Sequence, residues 1–227
     1  MRGVETNKVA DYLAYSPVFA PLSPAERLEL AGRMRSRHFA KNEIVFHQDD
    51  PAAHVYLIAS GTVKISVEDE SGQEVVIALI RGGEVFGELA LFDEGQRSAT
   101  VTALAETTAF ALASRDFNDV IQKNPAAMRQ LLGLLARRIR HSTGHIEDLV
   151  FLDLPGRVAK TLLDQNEILG GKGTIDLTQE DISHIAGATR VAVNRVLVDF
   201  ERRGLVSLGR GSLKISDVEA LRKEIRR

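Results

Sequence analysis

The chain has 227 residues, 44% hydrophobic and 26% charged, which is the composition of an ordinary globular protein. It contains no cysteine, which excludes disulfide bonds and an iron–sulfur cluster held by thiolates. No apolar run approaches the roughly 20 residues of a membrane span, and the first residues lack the apolar segment of a secretory signal. We therefore expect a cytoplasmic protein without a membrane partner.

The charge is unevenly distributed along the chain. The formal net charge of −2 by itself argues against a nucleic-acid-binding protein. Residues 154–227, however, hold 13 Lys and Arg against 10 Asp and Glu, a net of +3, and leave 16 basic and 21 acidic residues to the rest of the chain. A contact with DNA would therefore have to lie in the C-terminal third.

The N-terminal half changes from helical to strand-like patterns. Residues 1–35 are predicted to be helical, because Ser23, Pro24 and Glu26 supply an N-cap, a first-turn proline and an early acid. From about residue 38 to residue 113, short apolar segments follow one another at roughly ten-residue spacing, separated by glycine turns. Many short strands of this kind indicate a β-sandwich or a jelly roll.

The stretch 86–103 collects groups that suit a cyclic nucleotide. Gly87 precedes a short run of helix formers, whose first backbone N–H groups would favour an anion. Glu88 can accept hydrogen bonds from a sugar, while Arg97 and Ser98 supply a planar donor fork and a hydroxyl for a phosphate. The alternative is a surface ion pair between Glu88 and Arg97 beside a hairpin.

A long helix is predicted from Pro125 to about Phe151. Apolar residues spaced by four and three favour a parallel coiled-coil dimer, and the alternative is one long helix packed on its own domain. The seam consists of Met128, Leu132, Leu135, Ile139, Ser142, Ile146 and Leu149. Residues outside the seam that could contact the strand domain are Leu131, Leu134 and Val150. Ser142 is the polar member, and its hydroxyl would either bond back to the helix or meet a ligand.

The C-terminal third has the pattern of a winged helix-turn-helix. Asp153 and Pro155 are predicted to begin a new helix after a break. Thr178 begins a short helix with a capping-box variant, Gly187 makes a turn, and Thr189 caps a second helix. The core face of that second helix is predicted to be Val193, Val196, Leu197 and Phe200. The segment 206–215 then indicates a β-hairpin wing.

Two motifs resemble the CRP/FNR family of bacterial transcription regulators, most closely its cyclic AMP receptor branch. The first is Gly-Glu-Leu-Ala-Leu-Phe-Asp-Glu-Gly-Gln-Arg-Ser-Ala-Thr at 87–100, which resembles the family's phosphate-binding cassette. Some members carry one more residue before Arg97. The second is the Thr-Gln-Glu, Gly, Arg, Arg pattern that begins at Thr178. Together with the helix between them, the similarity covers roughly the whole chain.

The resemblance implies an α+β protein in three parts. These are a cyclic-nucleotide-binding β-roll with N-terminal helices at 1–124, a dimerisation helix and hinge at 125–153, and a winged helix-turn-helix DNA-binding domain at 154–227. It implies a homodimer that binds a palindromic operator on double-stranded DNA, contacts RNA polymerase and is controlled allosterically by cyclic AMP. We expect no enzymatic activity, no catalytic residue and no metal.

The resemblance also assigns site residues. For the cyclic nucleotide it implies Gly87, Glu88, Leu89, Arg97, Ser98, Ser142 and Thr143, the last two in swapped order relative to the family's Thr–Ser pair. For DNA it implies Thr178, Gln179, Thr189, Arg190, Val191, Asn194, Arg195 and Arg210. Val191 replaces a family glutamate that pairs with cytosine. Valine cannot accept a hydrogen bond from cytosine, but its methyl groups can contact a thymine methyl, so the half-site is expected to differ.

The sequence disfavours one alternative function and leaves three others open. A cupin-type metalloenzyme would need a His-x-His pair, which the chain lacks. A haem-based gas sensor would need an axial histidine, for which His141 and His145 on the long helix are the candidates. A family regulator could also respond to cyclic GMP or act without any ligand, although the set of Glu88, Arg97 and Ser98 argues for a ligand.

Overall fold

The computed structural model describes residues 2–70, 74–92, 95–171, 173–175, 177–209 and 212–225. The chain divides into two compact units, one of residues 1–72 and 77–139 and one of residues 73–76 and 140–227. The division lies inside the long helix, within the stretch predicted as a separate dimerisation segment.

Two helices precede the strands of the first unit. They are α1 (Arg2–Tyr15) and α2 (Pro24–Arg33), and α2 begins after the predicted N-cap Ser23. The predicted cap of α2 is present: the Ser23 hydroxyl accepts from the Glu26 amide at 3.3 Å, and the Glu26 carboxylate accepts from the Ser23 amide at 2.7 Å. This reciprocal pair satisfies two amides that the helix start would otherwise leave unbonded.

The predicted roll consists of two four-stranded sheets. Its strands are β1 (Arg35–Phe39), β2 (Ile44–Phe46), β3 (His54–Ser60), β4 (Thr62–Glu68), β5 (Glu74–Arg81), β6 (Val85–Phe86), β7 (Thr100–Ala103) and β8 (Thr107–Ala113). One sheet has the order β1-β8-β3-β6 and the other has the order β2-β7-β4-β5. The sequence missed β1 and β6, of which β1 is rich in charge and β6 is only two residues long.

Successive side chains of β3 point to opposite faces of the strand and so belong to two different hydrophobic cores of this unit. Val55 and Leu57 are buried with the helices, whereas Tyr56 and Ile58 point between the two sheets with Phe86. This period of two follows from the pleat of a strand. It matters for the site because the inner row, with its stacked Tyr56 and Phe86 rings at 5.1 Å, lines the interior of the roll.

The long helix is α4 (Pro125–Phe151), and a helix that the sequence did not predict, α3 (Ser114–Lys123), comes before it. Leu131 and Leu134 are buried against the core of the roll, as predicted. Val150, for which the same contact was predicted, belongs to the second unit and is 67% exposed, so that contact stays a prediction. Met128, the first residue of the predicted seam, is half-buried against the roll core.

The second unit contains the predicted helix-turn-helix with its wing. Its elements are α5 (Leu154–Ile168), β9 (Thr174–Ile175), α6 (Gln179–Ala186), α7 (Arg190–Arg202), β10 (Val206–Leu208), β11 (Leu213–Ile215) and α8 (Val218–Glu224). The hairpin of β10 and β11 is joined by β9 in a three-stranded sheet. Predicted core residues of α7, among them Val193, Leu197 and Phe200, are almost fully buried. The short β9 and α8 were not predicted.

Capping residues determine where the helices of the second unit begin and end. Asp153 accepts from the Gly156 amide at 2.9 Å and begins α5. Gly187 has a positive φ of 62° and ends α6, which reverses the chain before α7. A Cβ at that glycine would lie 2.8 Å from Cδ2 of Leu149, so a side chain there would be both strained and crowded.

Candidate functional site

Arg97 is the centre of the candidate ligand site. Only 4% of the residue is exposed. Its Nη1 donates to the Gly87 carbonyl at 2.7 Å and its Nη2 donates to the His54 carbonyl at 2.6 Å. The guanidinium carbon lies 4.1 Å from the centre of the Phe46 ring. Two carbonyls and one aromatic face therefore fix the plane of the guanidinium.

Gly87 leaves the space that this arginine occupies. Its φ is +80°, and a Cβ added there would lie 2.8 Å from Nη1 of Arg97. Any other residue would strain the backbone and push the guanidinium away. Gly87 is therefore needed for the position of the Arg97 guanidinium. The sequence predicted a different role for it, namely exposing backbone N–H groups at a helix start.

The charge of Arg97 is held away from water. Burial lowers the pKa of Arg97, and the nearby Tyr56, Asp50 and Glu88 oppose that change. Arginine stays protonated in proteins even so. Nε is buried and has no hydrogen-bond partner among the described residues. A desolvated cation with an unused donor attracts an anion more strongly than an exposed one.

Glu88 forms an unpredicted pair with Arg138. Glu88 is fully buried, and its Oε1 accepts from Nη1 of Arg138, whose Nη2 donates to the Val85 carbonyl. Oε2 of Glu88 is buried without a partner among the described residues. Arg138 therefore orients the carboxylate and leaves one oxygen for another donor. The sequence offered a signal for this contact of Arg138, because Arg138 lies one turn after Leu134, which is buried, on the same face of α4.

Two expectations for the stretch 86–103 need correction. The predicted short helix is a single 3₁₀ turn, Leu89–Leu91, which exposes fewer free amides than an α-helix start. The alternative of a surface ion pair between Glu88 and Arg97 is wrong, since both are buried and each is bonded elsewhere. Ser98 is exposed at the edge of the site. Two cassette residues, Asp93 and Glu94, lie outside the described residues.

A small cavity joins the polar groups to an apolar wall. Its volume is about 40 Å³, and its polar lining includes Glu88, Arg97 and Arg138. The facing wall includes the apolar side chains of Ile65 and Val101. Sites for small molecules usually measure ~300–1,000 Å³, so a nucleotide would enter only if neighbouring side chains moved apart.

The remaining predicted ligand residues lie on α4. Ser142 is half-buried and Thr143 is exposed. Both come after the division between the two units, whereas the cavity belongs to the first unit. The histidines considered for haem are on the same helix: His141 is exposed, and burial lowers the pKa of the half-buried His145. Across the described ranges no group of three or more residues could hold a metal ion.

The predicted DNA-contacting residues start with two helix caps. The Thr178 hydroxyl accepts from the Asp181 amide at 3.1 Å, and the Asp181 carboxylate accepts from the Thr178 amide at 2.9 Å. The Thr189 hydroxyl accepts from the Ala192 amide at 3.3 Å. Gln179 is half-buried and, with Thr178, lines a groove of about 380 Å³ beside the wing. The predicted Arg210 lies outside the described residues.

The exposed face of α7 carries the other predicted contacts. Arg190, Val191, Asn194 and Arg195 are all exposed. Neither arginine forms an ion pair with a residue that the structure describes, in contrast to Arg202 at the end of the helix, which bonds Asp199 at 2.9 Å. The sequence thus located an open, cationic surface on the second helix of the motif.

Comparison with known proteins identifies the class to which these two units belong. Residues 36–124 match the family model for the cyclic nucleotide-binding domain, and residues 156–224 match the model for the Crp-like helix-turn-helix domain. The chain therefore combines an effector-type domain with a DNA-binding domain. No helix among the described residues is both long enough and apolar enough to cross a membrane.

Individual relatives identify the family. The CRP-like cAMP-activated global transcriptional regulator of Mycobacterium tuberculosis is 35% identical over 222 residues, which cover 95% of this chain and 99% of the relative. The cyclic AMP receptor protein of Thermus thermophilus is 35% identical over 212 residues, with coverages of 92% and 96%. The chain belongs to the CRP/FNR family of transcription regulators.

Solved structures support the same fold. FixK2 from Bradyrhizobium japonicum superposes with a TM-score of 0.75 at 22% identity, covering 84% of this chain and 96% of that one. The catabolite activator protein of Thermus thermophilus matches with a TM-score of 0.52 at 32% identity, covering 93% and 99%. The predicted α+β architecture, with a nucleotide-binding roll, a long helix and a C-terminal helix-turn-helix, is confirmed.

Proposed function

We propose that the protein is a homodimeric, sequence-specific DNA-binding regulator whose affinity for its operator is raised by cyclic AMP. The observation that carries the proposal is the desolvated guanidinium of Arg97 beside the buried carboxylate of Glu88. A cyclic nucleotide supplies one anionic phosphodiester and one ribose hydroxyl, which complement these two groups. The names of the relatives in Mycobacterium and Thermus support cyclic AMP as the effector.

Unpartnered atoms of two residues that line the cavity suit this ligand. Nε of Arg97 offers a donor for a phosphate oxygen, and Ser98 adds a hydroxyl at the edge of the site. Oε2 of Glu88 offers an acceptor for the ribose hydroxyl. The cassette backbone at Gly87 and Leu89 completes the phosphate side. By the family resemblance, Ser142 and Thr143 are assigned to the base.

A ligand-independent regulator is the second candidate. The observation that favours it is the cavity of about 40 Å³, which is far smaller than a usual ligand pocket of ~300–1,000 Å³. Arg97 Nε and Glu88 Oε2, which have no partner among the described residues, favour a ligand, because buried polar groups without partners are costly and rare in folded proteins.

The nucleotide proposal is tested by linkage with DNA. Affinity for cyclic AMP and for cyclic GMP is measured by calorimetry with and without an operator duplex. We expect operator DNA to tighten cyclic AMP binding by the same factor by which cyclic AMP tightens operator binding, about 5- to 150-fold. The double variant Ser142→Ala, Thr143→Ala is expected to bind the phosphate but lose most of that factor. Operator affinity that is identical with and without every nucleotide tried would favour the ligand-independent candidate.

The dimer proposal rests on an exposed heptad row of α4. Leu132, Ile139 and Ile146 are 59%, 67% and 60% exposed and are separated by seven residues each. A row of this spacing stays on one side of a helix and is suited to a second copy of the same helix. Since Met128 packs on its own roll, the seam is expected to begin at Leu132, later than the sequence indicated.

A charge placed in this row should prevent dimerisation. We expect Ile139→Glu to sediment as a monomer at concentrations where the unmodified protein is a dimer, because two carboxylates would face each other in a desolvated seam. The matched control is Gln130→Glu, which adds the same charge at an exposed position on the opposite side of α4 and should leave the dimer intact. A dimeric Ile139→Glu variant would place the contact elsewhere.

The DNA side of the proposal follows from the geometry of α7. Two copies of the helix-turn-helix would read half-sites about one helical turn apart, roughly 34 Å. Arg190 and Arg195, which are exposed and form no ion pair with a described residue, are expected to supply contacts to phosphates and guanines. RNA polymerase as a further partner stays a prediction from the family resemblance, and a cytoplasmic location stays a prediction from the sequence.

A further inference from the structure

The apolar, amide and charged side chains on the exposed face of α7 lie in separate positions around the helix. At about 100° per residue, Asn194, Val198 and Val191 fall within a stripe roughly 60° wide. Arg190 and Arg195 then lie about 40° beyond its two edges. Arg202 lies about 20° beyond the edge at Val191, and Glu201 lies about 20° beyond the edge at Asn194. The stripe itself has one amide and two isopropyl groups. It contains no carboxylate.

Neither valine is needed for the core of this unit. Val191 is 64% exposed and Val198 is 40% exposed, whereas the opposite side of the helix buries Val193, Leu197 and Phe200 almost completely. Single exposed hydrophobic residues are ordinary. Here two of them lie on one stripe of α7, seven residues and about two turns apart, and both are exposed. The two valines are therefore suited to contact a molecule other than this chain.

The polar groups of the stripe are free to make such a contact. Within the described residues, the Asn194 side chain forms no hydrogen bond, and Arg190 and Arg195 form no ion pair. The last turn of α7 differs: Arg202 bonds Asp199 at 2.9 Å and Arg203 bonds Glu224. Arg190 and Arg195, which form no ion pair with a described residue, lie on opposite sides of the stripe and suit an occupant with negative charge along both of its edges, as in the major groove of DNA.

We propose that α7 reads a half-site whose central base pairs are A·T, with Val191 and Val198 against thymine methyl groups and Asn194 paired with an adenine. This inference rests on the DNA-binding function proposed above and specifies its substrate. Asparagine matches the N6 and N7 edge of adenine, and apolar side chains match the C5 methyl of thymine. Valine offers no acceptor for the cytosine amino group, so a central C·G pair would leave that donor unbonded.

The first arm of the test removes methyl groups from the DNA. An operator is selected from a random duplex library with the full-length protein and cyclic AMP, and each half-site thymine is then replaced singly by deoxyuridine. We expect at least one replacement to weaken binding about fourfold, which is the effect of one buried methyl group. Either Val191→Ala or Val198→Ala, whichever removes the valine that contacts this methyl group, should bind the two duplexes at that position equally. Thymines outside the half-sites are the matched control.

The second arm addresses adenine and the source of the methyl group. Replacing the contacted adenine by 7-deazaadenine should weaken binding about fivefold or more for the unmodified protein and leave Asn194→Ala unaffected. A pair of 5-methylcytosine and guanine keeps the methyl group but presents the wrong purine edge, so it should bind more weakly than T·A. Equal binding would point to methylated cytosine and overturn the adenine assignment.

The outcomes separate this inference from the function on which it rests. If no operator is enriched with or without nucleotide, the proposed DNA-binding function fails and the inference fails with it. If an operator is enriched but deoxyuridine and 7-deazaadenine have no effect at any half-site position, only the inference is overturned. A methyl effect that survives in both Val191→Ala and Val198→Ala would also overturn it.

Discussion

Arginine is used in opposite ways in the two units. Arg97 in the roll is 4% exposed, bonded to two backbone carbonyls and stacked on Phe46. Arg195 in the reading helix is exposed and has no ion-pair partner among the described residues. The first is a guanidinium whose orientation is set before any ligand arrives. The second is a hydrated charge that gains a defined position only on contact.

This difference has an energetic consequence. A buried cation is costly unless its donors are satisfied, and in the roll the carbonyls of Gly87 and His54 satisfy two of them. The charge of Arg97, with an Nε that has no partner among the described residues, would interact with the proposed anionic ligand at short range and with little screening. The charge of Arg195 is hydrated and screened by salt, so each such contact contributes less and depends on ionic strength.

The largest loss of affinity is expected when the buried guanidinium of Arg97 is removed. Arg97→Ala should weaken cyclic AMP binding by about 2–4 kcal/mol, because it removes a charge-assisted pair from a partly desolvated site. Arg97→Lys should be nearly as damaging, since an ammonium cannot bridge both carbonyls and a phosphate in one plane. Calorimetric titration with cyclic AMP measures both.

Two comparisons make this result specific. Arg35→Ala removes an exposed charge that acts electrostatically on His54 and leaves the bonds of Arg97 in place, so it should change the affinity only slightly. Thermal unfolding without nucleotide shows whether the Arg97 variants remain folded. Unchanged cyclic AMP affinity in a folded Arg97→Ala protein would mean that the cassette interpretation is wrong.

The two regions also differ in how far the sequence predicts them. Caps are local, so Ser23, Asp153, Thr178 and Thr189 could be assigned from a few neighbouring residues, and all four are present. The exposed face of α7 follows from helical periodicity alone. In the roll, the cassette motif located Arg97 and Glu88, but their bonding partners are far away in the sequence.

Those distant partners explain the failures. Arg138 reaches Glu88 across 50 residues, and His54 lies 43 residues before Arg97, so neither contact has a local signature. The alternative of a Glu88–Arg97 pair was wrong because it considered only neighbours within the motif. The two-residue strand β6 was missed because its pairing with β3 is a tertiary contact.

The smallest loss of affinity is expected from a substitution of the exposed Arg195. Arg195→Ala should weaken operator binding several-fold and make the slope of log affinity against log salt less steep by about 0.9 for each phosphate that the arginine neutralises. Arg195→Lys should recover most of the affinity and the salt dependence, because an exposed phosphate contact needs a charge rather than a planar fork. Arg202→Ala, on the same helix but already paired with Asp199, is the control and should change neither. Fluorescence anisotropy with an operator duplex over a range of salt concentrations measures all three. If lysine fails at residue 195 as completely as at residue 97, Arg195 reads a base edge through its fork, and the contrast between a fixed buried arginine and a hydrated exposed one no longer holds.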